Sequence, residues 1–136
     1  MAHAMGKTSE VDALTEIESL FSRGNVKAIR DALLPDEVIN AVAVAGYGRP
    51  GLGVLAVTTS RVLFARERFA RRPFYLSVPI KDVRSVEIER VLGSANVVVD
   101  DASGQTFKFV SLRDLERVAA LEAALRNQAD LLRGHS

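Results

Sequence analysis

The chain has 136 residues, 48% of them hydrophobic, with no Cys, two His and a formal net charge of +1. That length is enough for one domain with a core independent of disulfides or metal, and the lack of thiols excludes zinc–thiolate sites, thiol nucleophiles and disulfide chemistry. A near-neutral total gives no bulk attraction to nucleic acid or membrane, and no run approaches the ~18 apolar residues of a membrane span.

Residues 1–8 read as a disordered leader. The opening Met-Ala-His-Ala-Met lacks the basic-then-apolar order of a secretory signal, which points to a cytoplasmic protein. Residues 9–23 have helical spacing, with Ser9 as cap and Val11, Leu14, Ile17, Leu20 and Phe21 recurring every three or four positions. Gly24-Asn25 is expected to stop that helix and cap a second, which carries Val26, Ile29, Leu33 and Leu34 on one side and ends at Pro35. The expectation for 9–35 is thus a short helical hairpin. Helices this short are unstable alone, so their apolar faces need a barrel or another chain to dock on.

From Val38 the hydrophobic period drops to near 2, and turn residues recur every eight to twelve positions. The predicted strands are 38–45, 52–58, 61–66, 73–78, 83–91, 95–100 and 105–110. Gly46 to Gly51, Thr59-Ser60 and Asp101 to Gly104 supply reversals, and only Arg66 to Pro73 forms a longer, charged connection. Val86 and Ile88 alternate with Glu87 and Glu89, and Phe107 and Phe109 flank Lys108, so these strands each have one wet face. Strands 52–58 and 61–66 are apolar on both faces. Something besides the barrel core must cover their outer side, and the N-terminal hairpin is the nearest candidate.

A long helix is expected from about Ser111 to about Leu132, capped by Ser111 and Asp114, with Leu115, Val118, Leu121, Leu125 and Leu132 on a stripe interrupted by Gln128. Seven strands followed by one helix, over residues 36–132, is the order of a closed seven-stranded antiparallel barrel whose end is capped by a C-terminal helix. The fold class is therefore mainly β with α.

Two segments carry a resemblance. Gly53-Val-Leu-Ala-Val-Thr-Thr-Ser-Arg-Val-Leu-Phe64 and Val78-Pro-Ile-Lys-Asp-Val-Arg-Ser-Val-Glu-Ile88, followed by Gly93, resemble segments of bacterial pleckstrin-homology-like domains. The resemblance covers roughly 37–127 and is structural: Thr58 satisfies a turn and Arg61 starts a strand. It implies a barrel with a terminal helix, often assembled into homo-oligomers, with no common activity.

Charge is uneven along the chain. Residues 36–90 hold nine bases against six acids, whereas 1–35 hold four against five. The densest segment supplies a candidate anionic-ligand patch of Arg66, Arg68, Phe69, Arg71 and Arg72, able to meet an anionic membrane surface or phosphate with Phe69 at the interface. The lipid-binding relatives put their basic motif on the first two strands, where this chain has Gly48-Arg49-Pro50. The competing reading is a solvated connection whose arginines pair with Glu67, Glu87 and Glu89.

A second candidate is a self-association face of Val11, Leu14, Ile17 and Phe21, with the doubly apolar strands and the Ala/Leu-rich end of the last helix. Catalysis is not expected. Both histidines, His3 and His135, lie at the ends, and the acid pairs Asp36/Glu37, Glu87/Glu89 and Asp100/Asp101 read as solvated structural groups. Gly46-x-Gly48-x-x-Gly51 falls between antiparallel strands, not between strand and helix, and so is a turn and not a cofactor loop. No basic recognition helix or base-stacking aromatic pair points to nucleic acid. The sequence thus predicts a non-catalytic binding or assembly module without cofactor or metal, whose partner is itself or another protein. Peripheral binding of an anionic lipid or phosphate through 66–72 is the alternative.

Overall fold

The computed structural model describes residues 23–68 and 70–134. The leader, the expected helix over 9–23 up to residue 22, with its face of Val11, Leu14, Ile17 and Phe21, and Phe69 therefore lie outside the described residues.

The first described element is helix α1, Arg23–Ala32. Gly24-Asn25 was expected to be a stop and a cap; instead both residues lie in the helix. The Asn25 side-chain amide bonds to the barrel. Its Nδ2 donates to Leu52 O at 3.0 Å, and its Oδ1 accepts from Glu67 N at 2.6 Å. Gly24 fits there because the Glu67 carboxyl group fills the space a Cβ would need.

Seven strands follow: β1 Ile39–Tyr47, β2 Arg49–Thr58, β3 Arg61–Arg66, β4 Phe74–Pro79, β5 Val83–Val91, β6 Ser94–Asp101 and β7 Thr106–Leu112. They form one antiparallel sheet in the order β4-β3-β2-β1-β7-β6-β5. Each boundary falls close to its expected place, because the turns have the residues their geometry demands. Gly48 at φ 68° turns β1 into β2, Gly93 at φ 78° turns β5 into β6, and Thr59-Ser60 alone joins β2 to β3.

The expected closed barrel is open at one seam. β4 and β5 are the two ends of the ladder and do not pair with each other. A 3-10 turn, Ile80–Asp82, crosses between them and drops Ile80, 1% exposed, into the core. β1 pairs with β7 only through Gly46↔Val110 and Tyr47↔Phe109, so the strands diverge below that point.

Helix α2, Leu115–Gly134, fills the opening. It starts later than the sequence implied: Ser111 is still in β7, at φ 64°, and the cap is Asp114, whose Oδ1 accepts from Arg117 N at 3.2 Å. Val118, Leu121, Leu125 and Ala129 are buried, whereas Leu115, expected on the same stripe, is exposed because it precedes the turn that reaches the core. Gln128, the stripe's interruption, donates to Thr59 O at 2.9 Å and ties the helix to the β2–β3 turn.

Two cores result. The inner one gathers Ala43, Leu55, Val57, Phe64, Ile80, Val97, Phe109 and the α2 stripe. The outer one lies between α1 and the far side of the sheet, with Val26 and Ile29 against Val54, Ala56, Leu63 and Ala65. Strands apolar on both faces do carry a helix on their outer side, as the sequence required.

Candidate functional site

Antiparallel pairing brings the end of β3 beside the start of β4, setting Arg66 opposite Phe74. The β1–β2 turn at Gly48 stands over the same rim. Arg66, the end of the expected strand 61–66 and the start of the charged connection, is the last residue of β3 and is buried instead of solvated. Its guanidinium lies 5.1 Å from the Phe74 ring centroid and its Nη1 donates to Tyr47 O at 2.8 Å. Tyr47 stacks on Phe74 at 6.1 Å and meets Phe109 at 5.2 Å, so the rim has an aromatic floor continuous with the inner core.

Above that floor is a cleft of about 440 Å³ lined by Tyr47, Gly48, Arg66, Arg68, Arg71 and Phe74. Three arginines are among its lining residues and no Asp or Glu is. The loop holds itself up: Arg68 Nε donates to Arg72 O at 2.8 Å, Arg71 N to Arg68 O at 3.4 Å, and Ala70 adopts φ 55° to make the turn. Arg71 and Arg72 are exposed, and neither side chain has an ion-pair partner among the described residues. The acids expected to neutralise this loop are engaged elsewhere or lie apart. Glu89 pairs with Lys108 at 3.0 Å, and the Glu67 carboxyl group sits on α1 at Gly24. Such an arrangement presents planar hydrogen-bond donors to an anion, beside apolar surface.

Of the candidate patch, then, Arg66, Arg68 and Arg71 come together in the cleft, Arg72 stands beside it, and Phe69 is outside the described residues. Tyr47 and Phe74 were not singled out in the sequence. The available signal was one aromatic at each segment, Phe74 directly after the charged connection and Tyr47 within the Gly-rich turn.

The acid pairs divide. Asp100 and Asp101 serve the β6–β7 reversal, where Asp101 Oδ1 accepts from Ser103 N at 3.0 Å and Gln105 N at 2.9 Å. Glu37, expected to be solvated, is buried. It accepts from Arg61 Nε and Nη2, each at 2.8 Å, from Thr58 Oγ1 at 2.5 Å, Ser60 Oγ at 3.0 Å and Leu34 N at 3.0 Å. Burial pushes its carboxyl up, but these bonds, led by Arg61 and Thr58, outweigh that and lower it to about 2. Every Glu37 oxygen is occupied, so this cluster joins the end of α1 to the β2–β3 turn and has nothing left to offer a ligand.

Comparison with known proteins gives the fold its class. No family model matches the chain, and no curated protein matches it. Solved structures do. The C-terminal domain of an unknown protein from Leishmania infantum is similar at TM-score 0.55 and 19% identity, over 83% of this chain and 97% of that one. A DUF1696 family protein with a pleckstrin-homology domain from Shewanella loihica PV-4 is similar at TM-score 0.54 and 14% identity, over 76% of this chain and 88% of that one. The fold is pleckstrin-homology-like, as the two sequence segments implied. Among the described residues, no helix is long and apolar enough to cross a membrane.

Proposed function

We propose that this chain is a non-catalytic, cytoplasmic binding module that takes an anionic phosphate-type group, free or on a lipid headgroup, in the cleft between the β1–β2 turn and the 66–73 loop. The observation that carries this reading is the composition of the cleft. Arg66, Arg68 and Arg71 line it over Tyr47 and Phe74, and no Asp or Glu is among the residues that line it. Each arginine near an anionic surface contributes about 1 kcal/mol, and that attraction falls off within a Debye length. The test compares vesicles containing phosphatidylserine with neutral vesicles, and adds inorganic phosphate alone as a titrant followed by amide shifts of the loop. Binding to acidic vesicles that weakens with salt and disappears in Arg71→Glu/Arg72→Glu supports a membrane source. Loop shifts with phosphate but no vesicle binding support a free anion. No response to either probe overturns the reading.

A second reading, assembly with a further copy or another protein, rests on the exposed apolar side chains flanking α1, Leu34, Val38 and Leu52, together with the apolar sequence stripe of Val11, Leu14, Ile17 and Phe21. Light scattering should then give a small multiple of 14.8 kDa that Leu14→Glu/Ile17→Glu lowers while the barrel stays folded. A monodisperse monomer across micromolar concentrations removes it.

A further inference from the structure

We propose that the outer edge of β4, Phe74–Pro79, takes an extended segment of another protein as an additional strand, uncharged over the pairing positions and acidic at its ends. Such pairing is independent of whether the arginine cleft holds phosphate.

β4 is one end of the ladder, and no strand of the sheet pairs with its outer side. Which of its peptide groups face outward follows from the β2–β3 hairpin. Arg61 N donates to Thr58 Oγ1 at 3.1 Å, so the Arg61 backbone is turned toward β2. Backbone direction alternates along a strand, so Val62 and Phe64 turn toward β4 and bond with Val78 and Leu76, their partners in register. The N–H and C=O of Tyr75 and Ser77 then point away from the sheet. Pro79, opposite Arg61, fits the same parity, since it has no N–H to give to β3. Tyr75 and Ser77 are both exposed, so this row of donors and acceptors is open to a partner.

The two ends of the ladder differ in what guards them. β5 carries exposed Arg84, Glu87 and Arg90, and Arg126 Nη2 on α2 covers its Val86 O at 3.0 Å. Charges along an edge hinder strand addition. β4 reads Phe-Tyr-Leu-Ser-Val-Pro and has no charged residue to do the same.

Charge selects the occupant. Arg71 and Arg72 precede β4 and Lys81 follows it; all three are exposed, and none of these side chains has an ion-pair partner among the described residues. A second copy pairing antiparallel through β4 would lay the Arg71-Arg72 end of one chain beside the Lys81 end of the other, base against base. Parallel pairing would set like ends together, and union of β4 with another copy's β5 would meet the guarded edge. A foreign strand with Asp or Glu at its ends has neither obstacle. Main-chain bonds to Tyr75 and Ser77 supply the attraction, and the terminal acids supply the choice of partner.

The experiment titrates the full chain with the peptide acetyl-Glu-Glu-Val-Thr-Val-Thr-Val-Glu-Glu-amide and follows the backbone amides. Those of Tyr75 and Ser77 should shift and saturate, and Arg71→Gln/Arg72→Gln should weaken the binding about fivefold. Two N-methylated peptides decide the mode, one methylated at every Val amide and the other at every Thr amide. Strand addition uses one parity of the peptide, so one form should lose binding while the other keeps it. No shift at Tyr75 and Ser77, shifts confined to 70–72, or equal effects of the two methylations each overturn the inference. A mass that doubles with protein concentration in the peptide-free chain, while these two amides shift, assigns the edge to a second copy and overturns it as well.

Discussion

Glu37 and Arg61 meet through two parallel hydrogen bonds of 2.8 Å, in a site where the carboxylate side chain is 2% exposed and the guanidinium 18%. Arg61 Nη2 also donates to Ala32 O at 2.5 Å, so one ion pair fastens the end of α1, the start of β1 and the β2–β3 turn. Its fork geometry makes the pair directional, and its burial makes either half costly to leave alone.

Removing one partner should therefore be worse than removing an exposed charge. Arg61→Ala strands a buried carboxylate and is expected to cost about 3–5 kcal/mol. Arg126→Ala, which loses an exposed bridge to Glu122, should cost about 1 kcal/mol or less. Urea melts of the two variants decide between this ranking and its reverse.

The same carboxylate predicts an acid limb of stability. Its folded value of about 2 lies below the ordinary 4.5, so its contribution is complete above pH about 4.5 and is lost as pH falls through about 2. The difference corresponds to about 3 kcal/mol. Glu37→Gln should flatten the pH dependence of stability in that window; parallel acid curves for the two proteins would contradict it.

Phe109 is fully buried and touches Tyr47 and Phe64 at ring distances of 5.2 and 5.8 Å. Phe109→Ala should cost about 3–5 kcal/mol. Its neighbour Lys108 points outward to an exposed pair with Glu89, so Lys108→Ala should stay within about 1 kcal/mol of wild type. Equal effects would mean that the register of β7 is wrong.

Gly53 is constrained by its neighbours and not by its φ. A Cβ there would run into the Ala65 carbonyl oxygen and come 2.7 Å from the Phe64 ring. Gly53→Ala should destabilise by about 1–3 kcal/mol through forced displacement of β3. In Gly46→Ala the nearest contact is a Val110 methyl at 3.3 Å, and the cost should be smaller. Thermal melts of the two variants order them.

Asn25→Ala leaves Leu52 O and Glu67 N without their partner, an expected loss of about 1–3 kcal/mol for each group that stays dry. Amide exchange in α1 should accelerate more than exchange in β6. Uniform acceleration would mean that the helix does not loosen separately.

The strands were legible because each ends on residues with a turn-specific role, such as Gly48, Gly93 and the Thr59-Ser60 pair. The outer core was legible from β2 and β3 being apolar on both parities. Three features were not, for one physical reason: each depends on elements far apart in the chain. Glu37 looked solvated beside Asp36, since its partner Arg61 lies 24 residues away. Asn25 looked like a cap because its acceptor and donor are on β2 and after β3. Arg66 looked like a solvated charge at the end of a strand, because only the pairing of β3 with β4 and the approach of β1 give it Phe74 and the Tyr47 carbonyl. The open seam was equally hidden, since periodicity fixes which face a residue takes and says nothing about whether the first and last strands of a ladder meet.

β2 and β3 form a party wall between two rooms, with Leu55, Val57 and Phe64 furnishing one side and Val54, Ala56 and Leu63 the other. A wall loaded from both sides cannot yield on one without being felt on the other. Shortening the chain to begin at residue 36 would strip α1 away and leave a greasy outer surface, so the smallest self-sufficient piece includes the helix. Heat or denaturant should take both rooms down in one transition, and the amides of this shared wall should be the last in the molecule to surrender their protons to solvent.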